Sequence, residues 1–543
     1  MKTADKAALL APDDVVAQYP PHSYTLPSLL ASRVRLLPDK PFMVFDDQCR
    51  TYAQFAADVE HAARWLSARG VGQRDRVAVF SGNHPSTVTI LFALAHVGAI
   101  MVPINPAFGV AEARYVLQDA RVQGVVCATE TLEIAQRACR DIESAPWLVQ
   151  NEAGADRKLP CLQDEIAEAT GPVPPAVATP EATCVFIYTS GTTGSPKGAM
   201  HSQQGYVITA EAFVVRLFLQ PDDRVLCVLP LFHINALFYS VGGALAAGAT
   251  LMLARRFSAG SFWTTVQHSG ATTVNLIGAA ASILSKRDRS EFRTGHRMTK
   301  AFIAPLDASL VRTFKDEFNV GTLIECYGMT EIPGVLSNPF LGPHKLGSMG
   351  VVCRHLASHL PQPEVRIVDE RFRDVAIGEK GQLLVKTPTL MQGYYRDPER
   401  TASAFHDGWF MTGDIAWQDE DGFLWFVARQ KDIIRRRGEN ISGAEIDRVI
   451  SAHPSVLEAA AIGVPSELGE EDILAVVVPR PGKSMAKQEI EQWVGQHLST
   501  VKIPRYVVFV EELPKTATQR IEKFKLKQDP DLLARAKASA AGA

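Results

Sequence analysis

Residues 76–103 read RVAVFSGNHPSTVTILFALAHVGAIMVP, and their pattern decides the fold class. Arg76-Val-Ala-Val-Phe80 is a short apolar run of strand length, a helical stretch runs from about Pro85 to His96, and Ala99-Ile-Met-Val-Pro103 is a second apolar run. Strand–helix–strand order of this kind implies a mostly parallel sheet covered by helices. Working outward, Thr51–Ala68 places Phe55, Val59, Ala62 and Leu66 at helical spacing until Gly70 ends the run. Gly124-Val-Val-Cys-Ala128, Cys184-Val-Phe-Ile-Tyr188 and Arg224-Val-Leu-Cys-Val-Leu229 repeat the buried-strand pattern, and the Pro/Ala-rich segment Ala169–Pro180 reads as a surface connection. An α/β fold is expected, with a large N-terminal domain of helix-covered, mostly parallel sheets.

After about Leu341 the texture changes. Val365-Arg-Ile-Val-Asp369, Gly381-Gln-Leu-Leu-Val-Lys386 and Gly422-Phe-Leu-Trp-Phe-Val427 are short strands between Gly/Asp turns, which predicts a β-rich subdomain over about 341–430. A charged connector, KDIIRRRGEN, then leads into a helix-and-strand pattern. The main boundary is expected there, giving an N-terminal domain over 1–430 and an α+β C-terminal domain over 431–543.

Composition narrows the function. Lys and Arg number 56 against 59 Asp and Glu, a net charge of −3, so no basic field draws the chain to nucleic acid or an anionic membrane. The longest apolar stretches, such as Val241–Ala254, are glycine-broken and shorter than the ~20 residues a membrane span needs. The opening MKTADKAALLAPDD has no apolar core of signal-peptide length, and the eight cysteines form no CxxC pair, so reduced, buried thiols and a cytoplasmic location are expected.

The segment with the most chemistry is Tyr188-Thr189-Ser190-Gly191-Thr192-Thr193-Gly194-Ser195-Pro196-Lys197-Gly198. Glycines let backbone N–H groups close on phosphate oxygens, hydroxyls add donors, and Lys197 supplies a point charge. It is not a Walker loop, because Pro196-Lys197-Gly198 replaces the Gly-Lys-Ser/Thr ending. This segment resembles the phosphate-binding signature of the adenylate-forming superfamily, which includes acyl-CoA synthetases, luciferases and peptide-synthetase adenylation domains. Further matches follow in order from about Pro38 to Lys527. Tyr327-Gly328-Met329-Thr330-Glu331 looks like the adenine and magnesium motif, Thr412-Gly-Asp414 like the ribose motif, and Arg429-Gln-Lys-Asp432 like the hinge.

The resemblance implies roles for these residues. Tyr327 would stack on adenine, Thr330 and Glu331 would offer oxygen ligands to Mg²⁺, and Asp414 and Arg429 would hold the ribose. Pro230-Leu-Phe-His233 resembles the segment lining the acyl pocket, with His233 near the carboxylate, and Phe302-Ile-Ala-Pro-Leu306 resembles the loop bordering adenine and acyl group. Lys431 matches the pivot of a mobile C-terminal domain. Arg435-Arg436-Arg437, read alone, is a solvated charged face; in the family the stretch with Arg437 and Gly438 borders the passage for CoA. Arg437 stands where many relatives have a second glycine. RRRGENIS and SELGEED are closest in wording to the crotonobetaine/carnitine-CoA ligase branch, which points to a small or medium acid with a polar or quaternary ammonium group.

The final motif departs from the family pattern. Leu513-Pro-Lys515-Thr-Ala-Thr-Gln519-Arg520-Ile-Glu-Lys523 carries Gln519-Arg520 in place of Gly-Lys. Arg520 is favoured as the cation bridging carboxylate and α-phosphate, over Lys515 or Lys523. Two other signals are set aside: Gly70-Val-Gly72 follows a helix instead of opening one, and Cys353-Arg-His355-Leu-Ala-Ser-His359 lacks a fourth zinc ligand.

The resulting expectation is an ATP-dependent acyl-CoA ligase that uses ATP, Mg²⁺ and coenzyme A on a small-molecule carboxylate. A carrier-protein-loading adenylation enzyme, an acyl-AMP ligase and a nucleotide-binding protein without ligase activity stay open. So does oligomeric state, a homodimer being one form.

Overall fold

Thr51 caps the first long helix. Its hydroxyl accepts from the Gln54 N–H while Gln54 returns a bond to the Thr51 N–H, so the helix runs Tyr52–Ala68. Phe55, Val59, Ala62 and Leu66 are all buried, as their spacing requires. The helix Pro85–His96 is buried along most of its length, from Thr87 to Ala95, which explains its weak amphipathic pattern.

The computed structural model describes residues 9–152, 159–189, 196–436, 439–466, 470–515 and 521–541. The chain forms two compact units, Met1–Glu364 with Lys386–Phe405, and Val365–Val385 with His406–Ala543. The domain boundary expected at 430/431 returns below as a proposal.

The first unit holds two seven-stranded sheets. One runs, in spatial order, Gly393–Tyr394, Lys197–Ser202, Thr183–Thr189, Ile100–Ile104, Arg76–Phe80, Gly124–Cys127 and Trp147–Gln150. Its strands from Thr183–Thr189 to Trp147–Gln150 are parallel, and Lys197–Ser202 turns back antiparallel. The other runs Thr322–Ile324, Lys300–Ala304, Thr273–Ile277, Arg224–Cys227, Thr250–Leu253, Pro41–Phe45 and Gln48–Thr51, parallel except for the last pair. Helices cover these sheets, and one continuous apolar core includes residues of both. The fold class is α/β with mostly parallel sheets.

The second unit carries the expected β-rich part, an antiparallel sheet in which Trp409–Gln418 pairs with Gly381–Lys386 on one side and Leu424–Arg429 on the other. Further along, Val456–Pro465, Glu471–Pro479 and Tyr506–Phe509 form a three-stranded sheet with its own core, against which the helices Gly443–Ser451 and Lys487–His497 bury Ile446, Ile450, Ile490 and Val494.

Two sequence expectations are corrected. The cysteines are free, but Cys49 is exposed and Cys326 half-buried, because Cys49 lies on the edge strand Gln48–Thr51. Arg436 does not belong to a solvated face. It is buried, donates to the Val501 and Ile503 carbonyls, and faces Asp472 at 3.3 Å. No helix among the described residues is long and apolar enough to cross a membrane.

Candidate active site

The phosphate-loop candidate connects two paired strands. Thr189, the last residue of Thr183–Thr189, lies opposite Lys197, the first of Lys197–Ser202, so the hairpin register fixes both ends of the segment between them. Ser190, Gly191, Thr192, Thr193 and Gly194 lie outside the described residues. Thr189 Oγ1 is buried without a hydrogen-bond partner. At the near end of the hairpin, the Tyr188 hydroxyl donates to Asp119 at 2.5 Å.

Lys197 reaches Glu331. Its ammonium donates to the Tyr394 hydroxyl at 2.6 Å, that hydroxyl donates to Glu331 Oε1 at 2.8 Å, and the direct Lys197–Glu331 separation is 3.6 Å. The ammonium also sits 3.8 Å from the Tyr394 ring centroid. Burial holds the Lys197 pKa below the ordinary lysine value, with Glu331 opposing that shift, and burial raises that of Tyr394. A cation, a hydroxyl and a carboxylate thus form a close triangle at the start of the strand Lys197–Ser202.

Backbone geometry explains the Tyr327–Glu331 turn. A Cβ on Gly328 would fall 2.5 Å from the Gly334 nitrogen, so the chain folds back on itself only with glycine there. The Val335 N–H donates to the Tyr327 carbonyl at 3.1 Å, closing the turn. Thr330 is half-buried, and Glu331 is buried. Behind Thr330 lies His201, fully buried, its pKa pushed down to about 3 by burial, so that it is neutral. Glu325, just before the turn, accepts from the Leu306 N–H at 2.9 Å and has its pKa pushed up to about 7 by burial. It ties the Phe302–Leu306 loop to the turn.

His233 precedes the π-helix Asn235–Gly242. Its Nε2 is buried without a hydrogen-bond partner, and burial pushes its pKa down to about 4. A neutral imidazole with one open nitrogen can exchange a hydrogen bond with a carboxylate but does not bring charge to it.

In the second unit, Asp414 on Trp409–Gln418 lies opposite Arg429 at the end of Leu424–Arg429, and Arg429 Nε approaches Asp414 Oδ1 at 2.7 Å. Gly413 takes φ +71° immediately before Asp414. Lys431 lies in the short 3₁₀ turn Gln430–Asp432. Arg437, Gly438 and Arg520 fall outside the described residues, and a bridge between Lys515 and Ile521 brackets 516–520.

The pattern of the AMP-binding enzyme family matches residues 30–395, and that of the AMP-binding enzyme C-terminal domain matches 445–520. The chain belongs to the AMP-binding enzyme family. It is similar to the sulfoacetate–CoA ligase of Cupriavidus necator, 32% identical over 509 residues that cover 92% of this chain and 97% of that one. It is also similar to the crotonobetaine/carnitine–CoA ligase of Salmonella choleraesuis, 29% identical over 507 residues, 90% and 96% of the two chains. Among solved structures it resembles ATP-bound MatB from Rhodopseudomonas palustris, with a TM-score of 0.82, 28% identity and coverage of 92% and 98%. This AMP-binding family member is an acid–thiol ligase, an AMP-forming acyl-CoA synthetase that uses ATP and CoA. The carnitine-branch wording does not single out its acid, since the sulfoacetate relative shares more identical positions.

Sequence reasoning passed over Tyr394 and His201, which lie close to residues that it singled out. Tyr394 lies 63 positions beyond Glu331 and reaches it because Gly393–Tyr394 pairs with Lys197–Ser202. His201 is silent because a histidine on a strand carries no motif. Both lie on the strand that starts at Lys197 or on its neighbour, which is the signal that pointed to them. The two rivals of Arg520 are each engaged in an ion pair, Lys515 with Glu458 at 2.6 Å and Lys523 with Asp447 at 2.6 Å.

Proposed function

We propose that the chain activates a small or medium carboxylic acid as its acyl-adenylate and transfers the acyl group to CoA. The observation that carries this reading is the triangle of Lys197, Tyr394 and Glu331, with Lys197 three residues along the chain from Gly194 of the hydroxyl- and glycine-rich segment, since a polyphosphate needs a cation and a metal needs a carboxylate. The substrate carboxylate attacks the α-phosphorus, a P–O bond forms, and the bond to pyrophosphate breaks. The CoA sulfur then attacks the acyl carbon and AMP departs.

The roles follow from charge and hydrogen-bonding capacity. Thr189 to Gly194 bind phosphate oxygens, with Lys197 as the cation beside them. Tyr327 and Gly328 border the adenine, and Asp414 and Arg429 serve the ribose. His233 orients the carboxylate. Arg520 bridges carboxylate and α-phosphate, a role supported by the ion pairs that occupy Lys515 and Lys523. Arg437 and Gly438 border the CoA passage.

The residues also suit Mg²⁺. Among the described residues no three His, Cys, Asp or Glu side chains form a metal cage, which accords with an ion held by one carboxylate and substrate phosphates. Glu331, with Thr330 beside it, would hold it. When bound it neutralises charge on the departing pyrophosphate. We place the protein in the cytoplasm, a location that its free cysteines support.

A screen of carboxylic acids for AMP release with ATP and CoA tests the reading. Acid-dependent AMP and acyl-CoA in equal amounts are expected. Pyrophosphate exchange without thioester would favour a carrier-protein acceptor, and ATP binding without exchange would remove the ligase reading.

A further inference from the structure

The acid's pocket, as read above, is bordered by Pro230–His233, by the loop Phe302–Leu306 and by the turn from Tyr327. The helix Gln203–Leu217 sends Arg216 to that turn. Arg216 is only 3% exposed, and its Nη2 donates to the Gly334 carbonyl. Its Nε and Nη1 are buried without a hydrogen-bond partner. Gly334 stands three residues beyond Glu331, and a Cβ there would fall 2.6 Å from Arg216 Nη1 and 2.9 Å from the Tyr239 hydroxyl. Tyr239 belongs to the π-helix that follows His233. The guanidinium therefore meets the stretch that follows Glu331, and the Tyr239 hydroxyl lies near the same glycine.

Aromatic rings adjoin it. Phe213, one turn earlier on the same helix, stacks on Tyr239 with centroids 5.3 Å apart, and Phe302, the first residue of the third segment, packs edge-on at 5.0 Å from Phe213 and 5.9 Å from Tyr239.

A guanidinium is always charged, and burying it with two N–H groups unmet is unfavourable unless an anion completes it. Among the described residues no carboxylate does so: Glu211, on the same helix, is engaged by His22 at 2.9 Å, and no other acid pairs with Arg216. Bracing the Gly334 turn accounts for one N–H and not for Nε and Nη1.

We infer that Arg216 is a specificity residue that receives a second anionic group, a carboxylate or sulfonate, at the far end of a short carboxylic acid. The inference rests on the acyl-CoA ligase reading. The planar fork of arginine grips two oxygens of either group. A neutral acid leaves the same N–H groups unpaired, and a quaternary ammonium acid is repelled, which runs against the carnitine-like substrate that the wording of the sequence suggests.

The test is kcat/KM for AMP release, with ATP and CoA, on acids matched in length: acetate, propionate and butyrate against malonate, succinate and sulfoacetate, with a betaine acid as the cationic member. The wild-type enzyme is expected to prefer the anionic acids by roughly a hundredfold or more. The sulfonate and carboxylate arms show which group it takes. Arg216→Gln should bring the ratio toward one through KM for the anionic acids, and Arg216→Lys should retain part of it. Comparable or better use of neutral or cationic acids by the wild type overturns the inference and leaves the ligase reading standing, whether or not the variants fold. An equal loss for all acids in Arg216→Gln overturns it in favour of a brace. AMP release with no acid removes the ligase reading itself, and the inference with it.

Discussion

Lys197 Nζ and Glu331 Oε1 lie 3.6 Å apart, and both meet the Tyr394 hydroxyl, at 2.6 Å and 2.8 Å. A half-buried cation and a buried carboxylate in this relation can separate when phosphate oxygens and a metal come between them. Glu331→Gln keeps the acceptor oxygen that Tyr394 uses and removes the charge. Activity should fall by roughly two to three orders of magnitude, with little change in melting temperature. A near-normal rate at ordinary Mg²⁺ would remove Glu331 from the site.

Glu325 makes stability depend on pH. Burial raises its pKa from 4.5 to about 7. Below 4.5 the carboxyl is protonated in the folded and unfolded chain alike, and above 7 it is ionised in both. Between those values only the folded protein keeps the proton, so this group's contribution falls as pH rises, by on the order of 3 kcal/mol in all. Glu325→Gln mimics the protonated form. Its melting temperature should exceed that of the wild type at pH 8 and match it near pH 4.5. A difference that stays constant with pH would contradict the assignment.

Much of this was legible in the sequence, for reasons visible in particular residues. Strand–helix–strand order from Arg76 to Pro103 fixed a parallel sheet because the apolar runs are too short to be anything but strands and the helix between them is too apolar to face water. The motifs were readable because phosphate and ribose recognition demand particular residue types in close succession. Tyr394 and Arg216 were not, because each meets a partner 63 or 118 positions away, namely Glu331 and Gly334. Arg436 was misread because a charge run shows nothing of the Asp472 that meets its central member.

Lys431 lies in the 3₁₀ turn between the strands Leu424–Arg429 and Ile433–Arg436. As the proposed pivot, it needs backbone freedom that Lys431→Pro would remove. Pyrophosphate exchange should survive while thioester formation falls by roughly tenfold or more. Equal loss of both half-reactions would count against the pivot.

Arg520 is proposed to serve adenylation alone. The attacking carboxylate and the ATP phosphates repel, and one cation between them lowers that cost. Arginine keeps its proton at any working pH, so its part is electrostatic. Arg520→Ala should abolish acid-dependent pyrophosphate exchange yet still allow CoA to consume a supplied acyl-adenylate, and Arg520→Lys should restore part of the exchange. Intact exchange in Arg520→Ala, with its loss in Lys515→Ala or Lys523→Ala, would move the role to a lysine.

Attack of the carboxylate on the α-phosphorus leaves a mark in the products. With an acid labelled with ¹⁸O in its carboxylate, and with ATP and CoA unlabelled, one labelled oxygen should pass to the phosphate of AMP as the thioester forms, readable by mass spectrometry. Unlabelled AMP, or label in pyrophosphate or inorganic phosphate, would contradict an acyl-adenylate route.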